Sequence, residues 1–66
     1  MQIYDFVEFE LDMFRKECNF SEEEMAYFNL RAKNKSNVQI ALEMHISEAK
    51  VSKLARKVKN KMLKVI

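Results

Sequence analysis

Glycine and proline are both absent from this 66-residue chain, and that double absence constrains its fold more than any single motif. Phosphate-cradling loops need glycine for close backbone approach, so nucleotide-binding loops are disfavoured. What remains is an all-α domain whose turns are made by polar residues. At this length the chain makes one domain, residues 1–66, near the lower limit for independent folding; such a chain buries only about 60% of its unfolded surface. Cys18 is the only cysteine, so no intramolecular disulfide can staple the fold, and this usage suits a reducing cytoplasm. No apolar run approaches the ~20 residues needed to span a bilayer, and no signal-peptide pattern opens the chain, so no membrane association is expected.

Caps and periodicity predict four helices. Asp5-Phe6-Val7-Glu8 has capping-box spacing, with Tyr4 and Phe9 placed for a hydrophobic staple, which predicts a first helix over about 5–18. Val7, Phe9, Leu11 and Met13 also alternate with Glu8, Glu10 and Asp12 as a strand would, but Glu, Leu, Met and the cap together favour helix. On a helical wheel Val7, Leu11, Phe14 and Cys18 form one apolar stripe and Phe6, Phe9 and Met13 a second. So broad an apolar arc suggests burial on two sides or a partner, making Phe6, Phe9 and Met13 a candidate dimer interface. Asn19 and Phe20 break the chain. Ser21 then caps a second helix over about 22–33, with Glu24 completing the box and Glu22 and Glu23 favouring the positive helix end. Met25, Phe28, Leu30 and Ala32 are its candidate core residues.

From Ser36 to Val58 the chain reads as two helices joined by a tight turn. Ser36 caps a short helix over about 37–44, with Gln39 closing its box. Ser47 caps a longer one over about 48–64, whose apolar line runs through Val51, Leu54, Ala55, Val58 and Met62. A short brace, a three-residue turn and a longer capped helix form the helix-turn-helix arrangement that sets its second helix in the DNA major groove. The charge distribution agrees. Residues 1–33 carry four Lys/Arg against eight Asp/Glu, a net −4, while residues 34–66 carry eight against two, a net +6. One end is suited to a polyanion and the other is not. A solvated lysine face on an ordinary helical bundle would show the same charges; their coincidence with the helix-turn-helix is what points to DNA.

From Phe20 onward the chain resembles two related bacterial families, the DNA-binding domain of LuxR-type response regulators and region 4 of the sigma factors. FSEEEMAYFNLRA is similar to the opening helix of both. The pattern SN..IA..L is matched by Ser36-Asn37-Val38-Gln39-Ile40-Ala41-Leu42-Glu43-Met44, with Met for Leu. IS...V is matched by Ile46-Ser47-Glu48-Ala49-Lys50-Val51, and the closing K-L by Lys61-Met62-Leu63. His45 stands where helix-turn-helix proteins often have glycine. LuxR-type domains carry a further helix, often used to dimerise, before which this chain stops. Sigma region 4 ends much where this chain does, but within a longer polypeptide. With Met1 at its start the chain is expected to be complete, its Phe-rich first helix replacing the missing dimer surface.

The expectation is therefore a cytoplasmic, sequence-specific double-stranded DNA-binding protein, a transcriptional regulator acting as a homodimer. Ala49, Lys50, Ser52 and Lys53 would read base edges: lysine donates to guanine O6 or N7, and Ala49 touches a thymine methyl. Arg56 and Lys57, farther along, would hold phosphates, joined by Ser47 and by Ser36, Asn37 and Gln39 at the start of the brace helix. Glu48 is read as pointing away from the DNA. His45 reads as a turn residue rather than a metal ligand, and Cys18 as core rather than a nucleophile. No paired acid–base site emerges, so neither catalysis, nor a metal, nor a cofactor is expected. The alternative reading is a protein-interaction module, related to sigma region 4, that docks on RNA polymerase or another regulator through its acidic, Phe-rich half. A further rival is an accessory factor of a mobile element.

Overall fold

The computed structural model of the chain describes Ile3 and residues 6–66. Four helices follow in order, α1 Glu8–Glu17, α2 Glu22–Ala32, α3 Asn37–Met44 and α4 Glu48–Val65. The chain is thus a small all-α bundle containing the expected helix–turn–helix pair. Among the described residues no helix is long and apolar enough to cross a membrane.

The helix starts follow the capping chemistry. Ser21 accepts from the Glu24 N–H at 3.3 Å and Glu24 accepts back from the Ser21 N–H at 2.8 Å. Ser36 and Gln39 repeat the arrangement at 3.2 and 3.0 Å, and Ser47 Oγ accepts from the Lys50 N–H at 3.1 Å. These bonds satisfy backbone donors that have no partner inside a helix. Each junction between helices contains one residue in the left-handed region: Asn19 (φ 53°), Asn34 (φ 63°) and His45 (φ 57°). A chain without glycine has to place such turns on the residue types that tolerate them best, and Asn and His are among those.

The first helix departs from its expected course. It begins at Glu8 rather than near residue 5, with Val7 as N-cap in extended conformation; the expected Asp5 cap and Tyr4 staple lie outside the described residues. Val7 has no side-chain acceptor to offer, and Glu10 supplies half a box by accepting from the Val7 N–H at 3.1 Å. The cause lies in packing. Ile3 is buried, and Phe6, whose N–H donates to the Ile3 carbonyl, sets its ring edge-on to Phe14 at 5.1 Å. Val7 consequently leaves the stripe formed by Leu11, Phe14 and Cys18 and stands exposed, and Phe6 leaves the outer stripe for the core.

Helix α4 is the spine. It packs on α2 and α3 and is closed by α1, and its Val51, Val58 and Met62 are fully buried with Phe14, Phe28 and Ile40. Burying side chains of this kind stabilises by about 1.5–3 kcal/mol each, the main favourable term in so small a domain. In α2 the buried set is Glu24, Tyr27 and Phe28, whereas Met25, Leu30 and Ala32 are only partly covered. Arg15 ties α1 to α2: Nε donates to Asn29 Oδ1 at 2.9 Å, Nη1 bridges Glu8 and Asp12, and the guanidinium lies 5.5 Å from the centre of the Phe28 ring.

Candidate nucleic-acid interface

The core face of α4 fixes its outer face by helical spacing. With Val51, Leu54 and Val58 inward, the residues Glu48, Ala49, Lys50, Ser52, Lys53, Arg56 and Lys57 all stand exposed. Two flanks can be distinguished. On one, Ser47, Ala49, Lys50, Lys53 and Lys57 line a hollow of about 240 Å³, floored by Leu54 and closed by Glu23 of α2. On the other, Asn37, at the first turn of α3, shares a hollow of about 200 Å³ with Lys59, Tyr27 and Arg31. Ser52 and Arg56 continue toward Lys59 at four- and three-residue spacing, so these three share an exposed row. Ser36 and Gln39 are exposed beside Asn37.

The turn sets the angle at which the face is presented. His45 is the left-handed C-cap of α3, and the Ile46 N–H donates to the Ala41 carbonyl at 3.0 Å. Ile46 thereby packs against the core while Ser47 begins α4. His45 itself is exposed, and among the described residues no group of three His, Cys, Asp or Glu is placed to hold a metal ion.

The cations of this surface fall into two electrostatic groups. Lys50 Nζ lies 2.9 Å from Glu23 Oε2, and Lys61 Nζ lies 2.5 Å from Glu24 Oε1. Among the described residues Lys53, Arg56, Lys57, Lys59 and Lys64 have no carboxylate within ion-pair distance. An unpaired lysine or arginine on an exposed face is held only by solvent counterions, which a phosphate backbone can displace. The caps leave donors available as well. Ser47 Oγ accepts from the Lys50 N–H, and its own O–H proton remains to be donated; the amide nitrogen of Gln39 does too, because only Oε1 is engaged in the cap.

Titration behaviour sorts structural groups from available ones. The Lys61 hydrogen bond, aided by the Ser21 backbone N–H, holds the Glu24 carboxyl below its ordinary value. Burial pushes the Cys18 thiol up, which removes nucleophilic character and fits a core residue. Burial likewise raises the Tyr27 phenol.

Ten residues are candidates for DNA contact from sequence. The structure brings five of them, Ser47, Ala49, Lys50, Lys53 and Lys57, into one hollow, and sets Asn37 in the other. Two further residues belong to the surface but are not among the ten. Lys59 follows from the spacing of Ser52 and Arg56. Glu23 shows in sequence only as a residue of a helix start, since nothing local reveals its proximity to Lys50. The candidate dimer residues separate: Phe9 is 82% and Met13 38% exposed, but Phe6 is turned onto Phe14. No family model, no curated protein and no solved structure matches this chain.

Proposed function

We propose that this chain is a sequence-specific double-stranded DNA-binding protein, a transcriptional regulator that sets α4 in the major groove. The observation that supports it best is the row of Lys53, Arg56, Lys57, Lys59 and Lys64, none of which has a carboxylate within ion-pair distance among the described residues, on the helix that follows a three-residue turn. The resemblance to LuxR-type domains and to sigma region 4 supports the same reading. Ala49, Lys50, Ser52 and Lys53, near the start of α4, read base edges. Arg56, Lys57 and Lys59 hold phosphates, as do Ser47, Ser36, Asn37 and Gln39 from the helix starts. The reading is of a binding protein, not an enzyme, without cofactor, in a bacterial cytoplasm; a reduced, buried Cys18 suits that setting.

Fluorescence anisotropy on a random-sequence duplex across a salt series tests this. Each phosphate neutralised contributes a log–log slope of about −0.9. The wild type is expected to show a slope of several units, and Lys53→Ala/Arg56→Ala/Lys57→Ala a slope flatter by about 2.7. Absence of binding at low salt, or an unchanged slope in the variant, would overturn the proposal.

A second reading concerns α1. Val7 is 63%, Phe9 82% and Met13 38% exposed, which is more apolar surface than a short solvated helix needs. We propose this face as a homodimer contact, giving half-sites about one helical turn, ~34 Å, apart. A protein-interaction role, with α1 docked on RNA polymerase or another regulator, uses the same face. Light scattering at high concentration separates them: a monomer would sink the dimer and leave α1 to a partner.

A further inference from the structure

We infer that Glu23 acts as a specificity filter on the α4 face, holding Lys50 for a base and weakening attachment to bare phosphate backbone. This rests on the DNA-binding reading above and deepens it. The Glu23 carboxylate belongs to α2, yet it closes the hollow lined by Ser47, Ala49, Lys50, Lys53 and Lys57, with Oε2 2.9 Å from Lys50 Nζ. Among the described residues it is the one acidic side chain lining that hollow. Both partners are about half exposed, at 52% for Glu23 and 48% for Lys50, and ion pairs so open to solvent contribute little to folding. What the pair alters is the charge this surface offers to a ligand.

A lysine ammonium has three N–H donors. Glu23 takes one, which leaves two for guanine O6 and N7 and reduces the freedom of a long side chain before DNA arrives. Such a complex keeps the pair intact. On a random duplex the same lysine can serve only as a counterion to phosphate. There Glu23 has already neutralised it, and a carboxylate must also lie among phosphates, where like charges repel. The result is discrimination by subtraction: sequence-independent attachment loses about one effective cation, while base recognition by Lys50 keeps its geometry. Glu22, the preceding residue and also exposed at the helix start, has no ion pair among the described residues and lines no part of this hollow. It is the natural control for a change of net charge.

The experiment compares wild type, Glu23→Gln and Glu22→Gln, each as the full chain with its fold checked by circular dichroism. Anisotropy is read across a salt series on a random-sequence duplex, and on the duplex obtained by selection with the wild type. Glu23→Gln is expected to bind the random duplex about threefold tighter or more, with a log–log slope steeper by about 0.9, the value for one additional phosphate. Its preference for the selected duplex should fall. Adding Lys50→Gln to Glu23→Gln should return the random-duplex slope to the wild-type value, and Glu22→Gln should not steepen it. Glu23→Gln superimposing on wild type would overturn the inference while leaving DNA binding intact. So would an equal effect of Glu22→Gln, which would reduce the matter to net charge. Failure of every protein, wild type included, to bind either duplex at low salt would overturn the DNA-binding reading and this inference with it.

Discussion

Glu23 and Glu24 are neighbours in sequence, and each forms an ion pair with a lysine of α4, yet the two pairs differ in kind. Successive residues on a helix point about 100° apart, so one carboxylate turns into the bundle and the other lies across its surface. Glu24 is buried, with its side chain 6% exposed, and its Oε1 accepts both the Ser21 N–H and Lys61 Nζ. Lys61 in turn donates to the Asn19 carbonyl at 3.2 Å. One carboxylate thus closes the start of α2, and through Lys61 it ties the α1–α2 junction to the far half of α4. Glu23 and Lys50 are each about half exposed, and their mutual contact is the only ion pair either has among the described residues. The same two residue types serve as a structural bolt in one place and as a displaceable pair on the proposed interface in the other. What separates them is burial and the number of hydrogen bonds each carboxylate accepts.

The largest effect should come from the buried pair. Glu24→Ala removes the carboxylate partner of Lys61 and leaves the Ser21 N–H without its acceptor; the loss should be about 1–3 kcal/mol, read as a shift of the urea midpoint. Against a total of about 3–10 kcal/mol for a domain of this length, that is a large fraction. Glu24→Gln should cost less, because glutamine can keep accepting from the Ser21 N–H as Gln39 does from Ser36. The step from wild type to Glu24→Gln therefore reports the ion pair, and the step from Glu24→Gln to Glu24→Ala reports the cap. A loss below about 0.5 kcal/mol in Glu24→Ala, a typical value for a surface change, would abolish the distinction between the pairs.

Acid should reach the same pair by another route. Lys61, with the Ser21 backbone, holds the Glu24 carboxyl below its ordinary value of 4.5. Because the folded-state value is the lower one, the stability it supplies is complete above about pH 4.5 and is lost as pH falls through the folded value. Urea midpoints between pH 6 and pH 3 should therefore fall more steeply for wild type than for Glu24→Gln. Parallel curves would place the acid sensitivity elsewhere.

Most of the fold is legible in the sequence because capping chemistry is local. Ser21 with Glu24, Ser36 with Gln39, and Ser47 each announce a helix within four residues, and α2, α3 and α4 begin where those caps put them. Asn19 and His45 mark turns because few residue types tolerate their conformation. The start of α1 is not legible, since it depends on Ile3 and Phe6 reaching a core that the rest of the chain builds. The outer face of α4 follows from its spacing, as do the exposed cations. The partners of Lys50 and Lys61 do not follow, because they sit 27 and 37 residues away and meet only once α2 is laid against α4. Tyr27 is left open for the same reason: its sequence position suits a presented hydroxyl and amphipathic packing equally, and only the placement of α2 decides that it is buried.

The smallest effect sharpens the comparison most. Glu23→Gln removes an exposed ion pair and one favourable charge from the first turn of α2, each a fraction of a kcal/mol at moderate salt. The urea midpoint should move by no more than about 0.5 kcal/mol equivalent, and less as salt is raised. Measured on the same protein samples, its effect on the slope of DNA binding should be plain. A substitution that leaves folding nearly untouched and changes the interface would mark Glu23 as part of the binding surface rather than the scaffold. Should it instead destabilise as strongly as Glu24→Ala, the half-exposed pair would be a second bolt. Lys50 would then be committed to the fold and lost to the groove, and the reading of bases would pass to Lys53 and Ser52 farther along α4.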